Sequence, residues 1–116
     1  MLTGAMLGLM RQIGLDIITL TEEIGEAEFF ASRFTRAETF RLLGNMVKTA
    51  NEIPVTVRER MPQIDWAAWD ELQSKLDHPS KYPFQLWVVI KELTPMTVQQ
   101  LNDYRRTQPK LFSFVA

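Results

Sequence analysis

Between Met6 and Ile24 the apolar residues Met6, Met10, Ile13, Ile17, Leu20 and Ile24 recur at alternating steps of three and four. A helix of about 3.6 residues per turn brings positions at that spacing onto one stripe. Arg11, Asp16 and Glu22 fall off the stripe, so the segment is amphipathic, and Gly25 is its expected stop. A second helix is expected from Thr35, because Thr35-Arg36-Ala37-Glu38 has the spacing of a capping box, hydroxyl to backbone and carboxylate back to the cap. It carries Phe40, Leu43, Val47 and Ala50 on one side and Arg41, Asn45, Lys48 and Asn51 on a wet opposite side, and Pro54 ends it.

Prolines divide the remainder. Pro54 to Asp65 reads as a connector, with a turn or two of helix at Val55 to Arg60 closed by Pro62. A third helix is expected from Trp66 to Asp77, capped by Asp65, with Trp66, Trp69, Leu72 and Leu76 inward. Pro79, Ser80 and Pro83 break it. Phe84 to Leu93 contains the strand-favouring run Val88-Val89-Ile90, but it is long for a strand and nothing else in the chain alternates, so a buried helix is expected. Thr94-Pro95 then caps a further helix to about Arg106, with Pro at its first position. The fold class is therefore all-α, an antiparallel four- to five-helix bundle. Residues 1–106 form a single helical domain and 107–116 a C-terminal tail. The fourth helix is apolar on nearly every side, which one small core does not require, so part of it is available to a second copy of the chain. The tail segment Leu111-Phe112-Ser113-Phe114-Val115 reads either as a cover for an apolar groove or as an ordinary terminus.

A chain of 116 residues is enough for one domain and one core. The absence of cysteine removes disulfides, thiolate catalysis and cysteine zinc sites, and fits a reducing compartment. A net charge of −1 provides no overall field toward nucleic acid or an anionic membrane. The nearly uncharged Met1 to Met10 is not a secretory signal, because its first charge, Arg11, follows the apolar run and Gly4 and Gly8 interrupt it. No stretch approaches the roughly eighteen apolar residues of a membrane span. A cytoplasmic protein without membrane contact is expected.

Most reaction schemes fail on inventory. A single histidine excludes histidine-rich metal sites, so no metal and no cofactor are expected, and Gly4, Gly8 and Gly14 belong to an amphipathic pattern rather than to a phosphate loop. Glu22, Glu23, Glu26 and Glu28 read as a solvated face. His78 remains, where the third helix gives way to a proline-containing loop. An imidazole there can exchange a proton near neutral pH, and Lys75, three residues earlier, is a cation for the charge that grows on phosphate in metal-free RNA cleavage. The competing reading is a helix-end histidine at the negative end of a dipole.

These residues resemble a known family. Arg41-Leu42-Leu43 through Pro54, then Val57-Arg58-Glu59-Arg60-Met61-Pro62-Gln63-Ile64-Asp65-Trp66, then Leu72 and His78, and finally Trp87-Val88-Val89-Ile90-Lys91-Glu92-Leu93-Thr94-Pro95 are similar to the HepT-like branch of the HEPN proteins. These are small helical bundles often encoded beside a minimal nucleotidyltransferase. The resemblance runs from about Leu9 to Leu101 and implies a HEPN-like bundle, a homodimer, and a toxin–antitoxin setting. Family members with Arg, four residues, then His cut RNA in a cleft shared by two subunits, and the nucleotidyltransferase antitoxin silences them by attaching AMP to a Tyr two residues after the His.

By position, His78 matches the histidine, Gln73 stands in place of the arginine, Ser74 in place of a common Asn, and Ser80 in place of the modified tyrosine. Val47-Lys48 replaces a Gly-Glu pair of the second helix. Tyr82 is a second acceptor candidate if a shortened loop moves it into the tyrosine's place, and loop packing is its alternative. Gln73 donates hydrogen bonds but carries no charge, and Lys75 lacks arginine's two-pronged geometry. Losing one preorganised donor costs about 3 kcal/mol, roughly a hundredfold in rate. The resemblance therefore implies ribonuclease activity weakened or lost, in a dimeric partner of a nucleotidyltransferase. An active, metal-independent ribonuclease using His78 with Lys75 or Gln73, and a helical scaffold unrelated to RNA, are the alternatives.

Overall fold

The computed structural model describes residues 3–113; Met1 and, in the tail, Phe114 and Val115 lie outside them. The elements are α1 (Thr3–Thr21), α2 (Glu26–Ala31), α3 (Arg33–Glu52), α4 (Val55–Arg58), α5 (Trp66–Leu76), a 3₁₀ turn at Pro79–Lys81, α6 (Pro83–Val88), a π-helical turn at Val89–Leu93, α7 (Thr94–Thr107) and a 3₁₀ turn at Pro109–Phe112. Among the described residues no strand occurs, and the fold is all-α. No described helix is long and apolar enough to cross a membrane.

The stripe of α1 faces the core as its period requires. Met6, Met10, Ile13 and Ile17 are buried, and Leu20 and Ile24 pack against the same core half-buried. α1 runs antiparallel to α7, as the cross-helix pairs show: Gly4 meets Phe112, Arg11 donates to Asn102, Gly14 meets Val98, and the Lys91 ammonium donates to the carbonyl of Thr21. The close approach at Gly14 leaves no room for a side chain, since a Cβ there would lie 2.4 Å from Val98 Cγ2. α3 covers a second side of α1, with Leu43, Met46, Val47 and Ala50 buried, and α5 packs on α3 through the buried Trp69 and Leu72. The Trp69 indole Nε1–H finds its partner in Thr97 Oγ1 on α7 at 3.0 Å, which ties α5 to the far side of the core.

Three local expectations are corrected. α1 ends at Thr21, whose hydroxyl donates back to Ile17, and Gly25 instead precedes α2 as its N-cap. That short helix turns Phe29 fully into the core, against the rings of Phe30, Phe40 and Trp87. α3 is capped by Ser32, not Thr35: the Ser32 hydroxyl accepts from the Thr35 N–H, and Glu38 pairs with Arg41 rather than reaching back to the cap. The Arg41 guanidinium holds the Glu38 carboxyl below the usual carboxylate range, mainly by hydrogen bonding.

At Thr94-Pro95 no new helix begins. Val88, Val89, Leu93 and Thr94 all keep helical dihedrals, so the chain passes from α6 to α7 without a break. Proline has no N–H to donate and its ring crowds the carbonyl four residues back, and a widened π turn absorbs both defects. Thr94 completes the repair by donating both its N–H and its hydroxyl (2.9 Å) to the Val89 carbonyl. Finally, the tail past Thr107 forms a 3₁₀ turn despite lacking a helical period, and its Leu111 and Phe112 pack half-buried on this chain's own core.

Gly14→Ala is expected to destabilise the fold by about 1–3 kcal/mol, because overpacking against a stiff β-branched neighbour outweighs alanine's better helix propensity. Val98→Ala in the same chain should recover most of that loss. Chemical denaturation of the wild type, both single variants and the double variant measures the coupling; additive losses would show that the two residues do not meet.

Candidate functional site

α5 carries the candidate residues and its local structure is fixed at both ends. Asp65 caps it, accepting from the Ala68 N–H at 3.0 Å. At the other end the His78 N–H donates to the Lys75 carbonyl at 3.2 Å and its own carbonyl accepts from the Lys81 N–H, which turns the chain into Pro79–Lys81. The His78 side chain is exposed, and among the described residues no hydrogen bond or ion pair engages its ring.

The groups expected to assist it diverge. Gln73 is exposed and its Nε2 donates to Asp77 Oδ1 at 2.9 Å. Ser74 donates its hydroxyl to the Glu71 carbonyl at 2.9 Å. Lys75 is half-buried with its ammonium 6.0 Å from the centroid of the Tyr82 ring, a cation–π approach at the limit of useful range. Two positions apart on a helix, Gln73 and Lys75 point about 200° away from each other. The structure thus brings Lys75 to Tyr82 and Gln73 to Asp77, and no hydrogen bond joins either to the His78 ring.

Lys75 borders an open apolar groove of about 270 Å³ between α5 and the α6 helix, lined also by Leu72, Phe84, Gln85 and Val88. Phe84 is 65% exposed there. Ser80 lies on a different concavity, about 300 Å³, walled by Phe30, Phe40, Pro79 and Pro83 with Arg36 beside it. The Arg36 guanidinium is already used, donating to the carbonyl of Phe30. Ser80 and Tyr82, the two acceptor candidates, therefore face different surroundings: the serine is exposed and the tyrosine is half-buried under Lys75. Among the described residues no three His, Asp or Glu side chains converge in a way that could hold a metal ion.

Comparison with known proteins leaves the geometry to speak for itself: no family model, curated protein or solved structure matches the chain.

Sequence reasoning overlooked Arg58 as an individual residue. Its guanidinium stacks over Trp66 at 4.9 Å from the ring centroid, pairs with Asp70 at 2.8 Å and donates to the carbonyl of Ala50 near the end of α3. One side chain thus clamps the connector, α3 and α5 together, and its Nε is buried without a partner. The only sequence hint is an arginine between Val57 and Glu59, before a Trp and an Asp at distances no local motif relates.

Arg58→Ala should cost about 2–3 kcal/mol, the scale of charge-assisted hydrogen bonds lost from a mostly covered group. Gln73→Ala, on an exposed helix face, should fall within about 0.5 kcal/mol of wild type. Thermal or urea unfolding of the two variants separates the structural cation from the exposed amide; equal losses would contradict the assignment.

Proposed function

We propose that this chain is a HEPN-like, HepT-related partner protein whose RNA-cleaving chemistry is weakened or lost, and that it acts as a homodimer with a minimal nucleotidyltransferase in a toxin–antitoxin-type pair. The observation that carries the reading is the divergence at α5: Gln73 is engaged with Asp77 while Lys75 lies over Tyr82. At the α5 position where the resemblance implies a guanidinium stands an uncharged amide, itself tied to a carboxylate. Without that cation the charge growing on the phosphate is poorly stabilised. The half-exposed apolar surface of the α6 helix, with Phe84 and Val88, is the surface available to a second copy or to the partner.

The alternative, an active metal-independent ribonuclease, is favoured by one feature, the solvent exposure of His78 at the helix end. The two readings separate in a single assay. Purified protein and His78→Ala are incubated with single-stranded RNA in the presence of a chelator, and the expected result is the same background cleavage in both. Cleavage that disappears in the variant would overturn the loss of catalysis.

The double variant Gln73→Arg/Asp77→Asn restores a cation and removes the carboxylate that would capture it. It is expected to raise cleavage by about a hundredfold, and the gain should vanish when His78→Ala is added. No gain in a folded, dimeric double variant would remove the ribonuclease ancestry. Light scattering coupled to size exclusion reports the dimer, and a monomer at micromolar concentration would defeat that part of the proposal.

A further inference from the structure

A second site lies on the α1–α7 pair and uses none of the residues of the α5 end. Gly4, Gly8, Arg11, Arg105 and Phe112 enclose a cavity of about 160 Å³. The glycines sit one turn apart on α1 and act differently: a Cβ on Gly8 would meet nothing within 4 Å, which leaves the hollow open, while the backbone of Phe112 and Ser113 fills the place of a side chain at Gly4. Arg11 is held in place by its Nε–H, which donates to Asn102 Oδ1 and leaves the terminal guanidinium nitrogens for another acceptor. Arg105 has no hydrogen bond or ion pair among the described residues, and the neighbouring carboxylate, Asp103, is taken by Arg106 at 3.1 Å. Two guanidinium groups therefore border one hollow with no carboxylate paired to either. Phe112, packed on the core, forms an apolar wall.

We propose that this hollow binds the phosphoryl group of a phosphate monoester, with Arg11 and Arg105 as its two cationic donors. Two positive charges match a group that carries close to −2 at neutral pH, and guanidinium is the side chain best shaped for its oxygens. The volume decides the size class. It equals roughly five water molecules, room for a phosphoryl group and a few attached atoms, with any larger remainder extending over Phe112 into solvent.

The test is a titration of the isotopically labelled full chain, followed by amide shifts at constant ionic strength, with inorganic phosphate and with phenyl phosphate as probes. Saturable shifts at Gly8, Arg11 and Arg105 are expected with a dissociation constant on the order of 1 mM, as two charge-assisted contacts allow. Tighter binding of phenyl phosphate assigns the site to an organic monoester, and equal binding to free phosphate; either supports a phosphoryl site. Arg105→Gln should weaken binding about tenfold or more.

Gly8→Leu provides an independent check, since its side chain enters open space and should block the hollow while the melting temperature stays level or rises. Absence of saturable shifts in the wild type would overturn the proposal. So would unchanged binding in a folded Gly8→Leu or Arg105→Gln variant. Neither outcome bears on RNA cleavage at His78, so the two proposals fail separately.

Discussion

The antiparallel seam between α1 and α7 sets the rest of the fold. Gly14 allows the two backbones to approach until Val98 fills the place of a side chain. At one end of the seam Lys91 reaches the last carbonyl of α1, where a cation also meets the negative end of the helix dipole. At the other end Gly4 admits the backbone of Phe112 and Ser113, which seats the tail. With α1 and α7 locked, α3 has one remaining apolar side of α1 to cover, and α5 packs on α3 while Trp69 reaches across to Thr97. The Pro95 defect is tolerated because it falls where a π turn lets the helix bend onto this seam without breaking.

How much of this was legible follows from the range of each interaction. The α1 stripe, the Asp65 cap and the stop at Pro54 are local, so period and residue type were sufficient. The cap of α3 was misplaced by one turn because Ser32 and Thr35 are both good caps, and the choice depends on where α2 leaves the chain. α2 itself was invisible: six residues show no period, and it is held by Phe29 meeting Phe40 and Trp87, which are distant in sequence. The continuity of α6 into α7 was hidden by the rule that Pro opens helices, a rule that holds unless a preceding turn widens to receive the ring.

The candidate site was legible as an address and not as an arrangement. Sequence placed His78 at a helix end, and its exposure there agrees with that placement. It could not foresee that Asp77, four residues after Gln73, would take the amide, nor that Lys75 would lie toward Tyr82. Both outcomes come from neighbours one turn away competing for a flexible polar side chain, a competition decided by the loop geometry after the helix. The pair Arg11 and Arg105 escaped notice for a different reason: ninety-odd residues separate them, and only the antiparallel seam brings them to one hollow.

Charge distribution gives these placements a common meaning. From Asp65 to Lys81 the chain carries Asp65, Asp70, Glu71 and Asp77 against Lys75 and Lys81, and Arg58 pairs with Asp70. From Asn102 to Ser113 the balance reverses, with Arg105, Arg106 and Lys110 against Asp103. At physiological ionic strength such fields fade over about 8 Å, so each end acts on what approaches it and not on the other. At the α5 end the Gln73 amide is already bonded to the Asp77 carboxylate. A phosphate nearing the α1–α7 seam meets two guanidinium groups paired to no carboxylate. An imidazole alone can move a proton, but phosphoryl chemistry needs the charge on the phosphate met at the same place, and the guanidinium pair of this chain borders a hollow on the α1–α7 seam that His78 does not line.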